Sequence, residues 1–105
     1  MTTTRRPITI SVFQYAGSFG GDKDAAAKVR DTILKPALKD ASTVIAIDFV
    51  DVEFVTQSFA HALLSAIIRK DAKSLERMTF TNCSESVREI IEIVVQYSQE
   101  TWPAN

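Results

Sequence analysis

The segment Thr43–Phe49 restricts the fold of this chain more than any other part of the sequence. Its residues form a near-continuous apolar run, which is typical of a strand at the centre of a sheet with both faces covered. A helix is predicted over Gln57–Ala72, where apolar pairs recur every four residues and Thr56 offers a capping oxygen. A buried strand followed by such a helix indicates a layered α/β domain.

A similar unit is predicted before this strand. Apolar and polar residues alternate at the start of Ile8–Phe13, which indicates a first strand with one buried face. The glycine-rich segment Gly17–Gly21 then breaks the pattern, and a helix follows that begins near Asp22 and Asp24. We expect this helix to kink or to end early at Pro36, because proline lacks a backbone N–H and clashes with the preceding turn.

A third unit completes the chain. Arg77–Thr81 alternates in polarity and is predicted to be a strand nearer an edge, closed by Asn82. The last helix is predicted from about Ser84 to Gln99 and ends at Trp102-Pro103; the spacing Ser86 to Glu89 fits a capping box. The order is therefore strand and helix, three times over.

The last helix has more apolar surface than one sheet face requires. A continuous stripe is formed by Val87, Ile90, Ile91, Val94 and Val95, and two further apolar residues, Ile93 and Tyr97, lie off this stripe. Either the helix has a broad face turned to the core, or the extra residues form a contact between two copies of the chain.

Composition excludes several classes of function. With 12 Lys+Arg against 13 Asp+Glu, the net charge of -1 gives no field that would attract nucleic acid or anionic lipid. One cysteine and one histidine are too few for a structural zinc site, so neither a metal nor a cofactor is expected. The polar N-terminus and the absence of an apolar run of roughly 20 residues predict a cytoplasmic protein without a membrane segment.

Three patterns suggest chemistry, and each has a simpler interpretation. Ser58 and His61 are neighbours on a predicted helix, but no acidic residue is placed to orient the histidine, so a polar helix face is favoured over a catalytic pair. Gly20-Gly21 precedes a helix, as phosphate-binding loops do, yet Asp22 and not Gly-Lys-Ser opens it. Asp48 at the strand end is either a phosphoacceptor, as in receiver domains, or a carboxylate that binds the following loop.

The segment Ile47–Ala60 resembles the signature of STAS domains, the fold of bacterial anti-sigma factor antagonists. In that family an apolar strand ends in Asp and Leu or Phe, the loop has apolar residues at alternate positions, and Asp-Ser-Ser-Gly opens a helix. Ser58 aligns with the serine that an anti-sigma factor kinase phosphorylates. Thr56, Gln57 and Phe59 stand where the family has Asp, Ser and Gly.

A closer resemblance is to a STAS-like family of unknown function, with Asp-Phe before the loop, Ser-Phe in place of Ser-Gly and a final helix rich in Ile and Val. It covers most of the chain from Gly17 onward. The resemblance implies one domain over residues 1–105, with 1–6 as a flexible tail, built on a mixed sheet of about four strands with helices mainly on one face. Only one strand precedes Gly17, where the classical antagonists have a hairpin, so a reduced sheet is implied.

The resemblance also implies a signalling module that binds another protein and is not an enzyme. The implied partner is a histidine-kinase-like ATPase or an anti-sigma factor, and Ser58 is the candidate phosphoacceptor. The implied contact residues are Asp51, Glu53, Thr56, Gln57, Phe59 and His61. If Thr56 caps the helix, Ser58 lies in the first turn, where free N–H groups would accommodate a phosphate. The alternative that Ser58 is an ordinary first-turn residue stays open.

Two other classes of function remain as alternatives. A small-ligand or nucleotide sensor would use the Gly20-Gly21 loop and the adjoining helix start. A structural subunit that works as a homodimer or larger oligomer would use the extra apolar surface of the last helix.

Overall fold

The computed structural model describes residues 6–100, without the side chains of residues 6 and 100, and forms one α/β unit. A π-helical segment, Arg30–Leu34, joins the second helix to the third, and a 3₁₀ segment, Ala72–Arg77, precedes the last strand. The other elements in chain order are β1 (Arg6–Ser11), α1 (Phe13–Ala16), β2 (Phe19–Gly20), α2 (Lys23–Val29), α3 (Lys35–Leu38), β3 (Thr43–Asp48), β4 (Phe54–Val55), α4 (Gln57–Lys70), β5 (Met78–Thr81) and α5 (Glu85–Glu100).

The strands form two parallel sheets, and the prediction of one mixed sheet of about four strands was wrong. β3 lies between β1 and β5 in a sheet of three strands, and β2 pairs with β4 in a sheet of two. The pairings are parallel because a helical crossover separates the paired strands in the chain. β2 and β4 have two residues each, which is too short for alternation of polarity to reveal a strand.

β3 lies in the middle of the main sheet and β5 at an edge, as predicted, but β3 is covered on one face and not on both. Its residues alternate between buried and partly exposed. The buried residues are Thr43, Ile45 and Ile47, and the partly exposed ones are Val44, Ala46 and Asp48. The described helices therefore pack mainly on one face, in agreement with the predicted arrangement. Val44 and Ala46 made the segment appear more completely buried than it is.

α4 lies at the centre of the helical layer, in contact with α2 on one side and α5 on the other. The apolar pairs that predicted this helix are all buried: Phe59, Ala60, Leu63, Leu64, Ile67 and Ile68. Full burial of each large side chain among them contributes about 1.5–3 kcal/mol. The start of α4 is therefore held rigidly against the rest of the domain.

The irregularity expected near Pro36 is a π turn that comes just before it. The Lys35 N–H donates to the carbonyl of Arg30, five residues back, and the chain continues as helix to Leu38. Pro36 then falls in the first turn of α3, where an α-helix needs no N–H donor from that residue. The helix therefore passes the proline instead of ending there.

Two local predictions differ from the structure: the end of the first strand and the capping box at Ser86. β1 ends at Ser11, because Val12 already has helical dihedral angles and is the N-cap residue of α1. The last helix starts near Ser84 as predicted, but Ser84 caps it, since its Oγ accepts from the Val87 N–H at 3.2 Å. The capping box at Ser86 was wrong, because that hydroxyl donates to the Glu53 carbonyl.

Two predictions fall at the chain ends. The end of the last helix at Trp102-Pro103 lies outside the described residues, and so does the predicted tail except for Arg6. The backbone of Arg6 opens β1 and lies in register with Thr43.

Candidate protein-interaction site

The loop that follows β3 is anchored by the carboxylate of Asp48. One of its oxygens accepts hydrogen bonds from the Val50 N–H at 3.0 Å and from the Asn82 side-chain amide at 2.9 Å. The Thr81 hydroxyl donates to the same oxygen at 3.4 Å. These bonds lower the pKa of Asp48, and the bond from the Asn82 amide has the largest effect. Of the two roles considered for Asp48, the geometry is that of a carboxylate that binds the loop.

We expect this carboxylate to stabilise the fold at neutral pH and to lose the effect in acid. Because its pKa is lower in the folded than in the unfolded state, the stabilisation is present above the unfolded-state value of about 3.9 and is lost as pH falls through the folded-state value. Urea unfolding should show Asp48→Asn to be less stable than the parent at about pH 7 and equal to it at about pH 2. A difference between the two proteins that does not change with pH would contradict this assignment.

The loop is also fixed by its own backbone. The Val52 N–H donates to the Phe49 carbonyl at 3.0 Å in a turn where Asp51 has a φ of 67°. The Glu53 N–H donates to the Ser18 carbonyl at 2.8 Å. The hydroxyls of two residues that begin α5 donate to the Glu53 carbonyl, at 3.3 Å from Ser84 and 3.2 Å from Ser86. The predicted contact residues Asp51 and Glu53 are therefore exposed on a loop that is held from several sides.

The first turn of α4 is capped as the sequence predicts. Thr56 Oγ1 accepts a hydrogen bond from the Phe59 N–H at 3.0 Å, and the Thr56 N–H donates to the Gly20 carbonyl at 2.9 Å. Gln57 and Ser58 follow in the first turn and are exposed. The hydroxyl of Ser58 makes no hydrogen bond within residues 6–100. Ser58 therefore presents a free hydroxyl beside the N–H groups that begin the helix.

Loss of the Thr56 cap should destabilise the domain moderately. Thr56→Ala leaves the Phe59 N–H without its partner, and we expect the free energy of unfolding to fall by about 1 kcal/mol. Thr56→Asp restores an acceptor and adds a favourable charge at the helix start, so it should be as stable as the parent. Urea unfolding of the three proteins measures both effects; equal losses in the two variants would show that the cap is not the cause.

Phe59 is a core residue, and the prediction that it contacts a partner was wrong. Its side chain is 1% exposed, in the same buried stripe as Leu63. The prediction assigned Phe59 to the same surface as Ser58 because the two residues are consecutive, but consecutive residues of a helix point about 100° apart. Ser58 and Phe59 therefore face solvent and core respectively.

Ser58 and His61 lie in a shallow depression between α4 and its neighbours. The depression has a volume of about 590 Å³ and is lined by Lys23, Gln57, Ser58, His61, Ala62 and Tyr97. The His61 ring packs against the Tyr97 ring at 5.9 Å between centroids, and the Arg69 guanidinium lies 5.9 Å from the same ring. Among the described residues no hydrogen bond joins His61 to Ser58. The arrangement is a polar surface with an aromatic wall.

An exposed aromatic pair, formed by one ring from β2 and one from β4, was not predicted. The rings of Phe19 in β2 and Phe54 in β4 are stacked, with centroids 5.2 Å apart and planes 13° from parallel. Their side chains are 59% and 38% exposed. Apolar surface of this kind, bordered by polar residues, marks sites where proteins interact.

The glycines of the Gly20-Gly21 loop serve close packing. A Cβ atom on Gly20 would lie 2.9 Å from a Val55 methyl, and one on Gly21 would lie 2.7 Å from the Phe19 ring. The Asp22 carboxylate already accepts from the Asp24 N–H at 2.9 Å, at the start of α2. Packing therefore accounts for both glycines without a bound phosphate.

Comparison with known families was made for the whole chain. The sequence model of the family described as STAS-like domain of unknown function (DUF4325) matches residues 25–88, more than half of the chain. The chain belongs to this STAS-like family. The comparisons with curated proteins and with solved structures found no match.

Two parts of the site in this STAS-like domain come from outside the matched segment. Phe19 and Lys23 precede it, and Tyr97 follows it. The one signal in the sequence for a role of Phe19 was its position between Ser18 and Gly20, because a tight turn does not require an aromatic residue there. The contact between Phe19 and Phe54 joins segments distant in sequence, and neither segment alone indicates it.

Within residues 6–100 of the STAS-like domain, no three or more His, Cys, Asp or Glu side chains are grouped so as to hold a metal ion. In the same part of the chain, no helix has the length and apolar character that crossing a bilayer requires.

Proposed function

We propose that this STAS-like domain is a non-catalytic protein-interaction module of bacterial signalling. Its partner docks on the loop after β3 and on the first turns of α4. We define the docking surface as the exposed pair Phe19 and Phe54 together with Asp51, Glu53, Gln57, Ser58 and His61. The observation that carries the proposal is the stacked, exposed pair of Phe19 and Phe54, of which Phe54 shortly precedes the capped and exposed start of α4 in the chain.

The composition of this surface suits recognition of another protein. Aromatic residues often provide most of the binding energy at an interface, while a polar rim supplies specificity. Here Phe54 follows the acidic residues of the loop in the chain and precedes the start of α4, and Phe19 is stacked on it. Since the hydrogen bonds of Asp48 and Glu53 fix the loop, a partner meets a preorganised surface and orders little chain on binding.

The partner we propose is a histidine-kinase-like ATPase or an anti-sigma factor in the cytoplasm. This choice rests on the resemblance of Ile47–Ala60 to the anti-sigma factor antagonists and on the shared place of Ser58. In those proteins the serine after the strand and loop is modified by the partner that docks there.

Phosphorylation of Ser58 would switch this contact off. The exposed hydroxyl is accessible to a kinase, and the N–H groups and positive end of the helix favour an added phosphate. Lys23 and His61 line the same depression and offer groups that can pair with it. The domain would therefore tolerate the modification, whereas a docked partner would meet roughly two additional negative charges.

The contribution of the aromatic pair can be tested with two matched variants. We expect Phe19→Ser to weaken binding to the proposed partner, a histidine-kinase-like ATPase, by at least about tenfold, as for a central aromatic contact. Tyr15→Ser removes another exposed aromatic residue, 45% exposed, outside the docking surface, and should leave affinity unchanged. Calorimetric titration measures both. Equal affinities of the two variants would remove the aromatic pair from the interface.

A second copy of the chain is the alternative partner, and one observation favours it. Ile93 and Tyr97 on α5 are 47% and 41% exposed, so the broad core-facing stripe does not account for them. In this alternative the domain is a structural subunit that pairs through α5. Light scattering that gives a monomer at high protein concentration would remove it.

A further inference from the structure

A second cavity lies at the other end of α4, roughly 15–20 Å along the helix from Ser58 at 1.5 Å per residue. It has a volume of about 500 Å³, within the usual range of small-molecule sites. Its walls are the end of α3, the end of α4 and the 3₁₀ segment that follows. The lining residues are Lys35, Leu38, Lys39, Ala66, Ile67, Lys70, Asp71, Ser74 and Arg77.

The rim of this cavity has an excess of positive charge. Four of the lining residues are basic and one is acidic, in a protein of net charge -1. Lys39 and Lys70 form no ion pair within residues 6–100. The Asp71 carboxylate accepts from the Lys73 N–H at 3.1 Å. The helix dipole also stabilises lysines near the C-terminal end of a helix. The dipole does not account for a cavity between them.

The interior of the cavity combines an apolar wall with a serine hydroxyl. Leu38, Ala66 and Ile67 supply apolar surface. Ser74 lines the same space, and its hydroxyl makes no hydrogen bond within residues 6–100. This hydroxyl can donate a hydrogen bond to a ligand oxygen in the cavity.

The shape of the cavity is fixed by Arg77. Its guanidinium donates to the carbonyls of Leu38 and Thr43, each at 3.1 Å, and also to that of Asp40. These bonds tie the 3₁₀ segment to the end of α3 and to the start of β3. Arg77 is held in the wall by the bonds from Nε and Nη2, and Lys35 pairs with Asp31 at 3.4 Å. Lys39 and Lys70 are therefore the cationic groups best placed to move onto a ligand.

We infer that this cavity binds a small organic anion with an apolar body. The body packs on Leu38, Ala66 and Ile67, the anionic group pairs with Lys39 and Lys70, and Ser74 donates a hydrogen bond. Carboxylate, sulfonate and phosphate esters share this chemistry. The site is separate from the docking surface, so the domain has a ligand-binding site away from the Gly20-Gly21 loop.

The probe for this site is 1-anilinonaphthalene-8-sulfonate, an aromatic anion whose fluorescence rises when it is bound in apolar surroundings. We expect saturable binding at one site per chain. Lys39→Gln combined with Lys70→Gln should weaken binding at least about tenfold, because charge-assisted contacts are lost. Lys28→Gln combined with Lys73→Gln removes the same charge at two exposed positions that do not line the cavity and should leave affinity unchanged. N-phenyl-1-naphthylamine, which lacks the sulfonate, should bind more weakly than the charged probe.

A cavity-filling variant tests the location independently of charge. Ala66 is exposed, so Ala66→Leu should fold normally and reduce probe binding by occupying the cavity. Urea unfolding confirms that each variant has the parent's cooperative transition. Displacement by octanoate or by octyl phosphate then distinguishes a carboxylate from a phosphate ligand. Absence of saturable binding, or equal affinity in the Lys39/Lys70 and Lys28/Lys73 variants, would overturn the inference.

Discussion

Replacing Phe59 with alanine is expected to lower the free energy of unfolding by about 3–5 kcal/mol. The side chain is 1% exposed and lies in the apolar face of α4, so its removal leaves a cavity in the core that neighbours fill only in part. Urea unfolding followed by circular dichroism measures the loss.

The matched control is Phe19→Ala, which removes the same ring from a position that is 59% exposed. We expect this variant to lose less than about 1 kcal/mol, because little apolar area returns to water. Comparable losses in the two variants would mean that Phe59 is not a core residue and that the assignment of the two aromatic positions is wrong.

Replacing Ser58 with glutamate is expected to weaken binding to the kinase-like ATPase roughly a hundredfold, or about 2.7 kcal/mol. A charge buried at a packed interface is desolvated without a partner and repels acidic groups opposite it. The same charge lies at the start of a helix in the free domain, where it is favourable. The free energy of unfolding should therefore stay equal or rise slightly while affinity falls.

Two controls separate this effect from a general effect of charge. Ser58→Ala removes the hydroxyl without adding charge and should bind as the parent does. Gln99→Glu adds the same charge at an exposed position near the end of α5 and should also bind as the parent does. If Gln99→Glu weakens binding as much as Ser58→Glu, the loss comes from net charge and not from the docking surface.

The elements of this fold were predictable where a long periodic pattern coincides with burial. The four-residue spacing of α4 and the apolar run of β3 placed both elements to within a residue or two, because each buries one continuous face. The pairing of β2 with β4 was not predictable, since two residues give no period. Nor could the pattern of β3 show that one of its faces is uncovered, because Val44 and Ala46 are compatible with either environment.

The candidate site also has some features that the sequence predicted and others that it did not. The cap by Thr56 and the exposure of Ser58 follow from local helix rules and were correctly expected. The ring stack of Phe19 on Phe54 and the hydrogen bond of Asn82 to Asp48 join distant segments. Such contacts depend on the strand order, which no local pattern in this sequence specifies.

The most direct test of the proposed switch is incubation of the domain with the proposed partner, a histidine-kinase-like ATPase, and ATP, followed by mass spectrometry of the domain's peptides. The account predicts one phosphate, on Ser58, in the parent protein, and a strongly reduced yield in Phe19→Ser because docking is impaired. Absence of phosphate, or a phosphate confined to another residue, would contradict the proposal that Ser58 controls this surface.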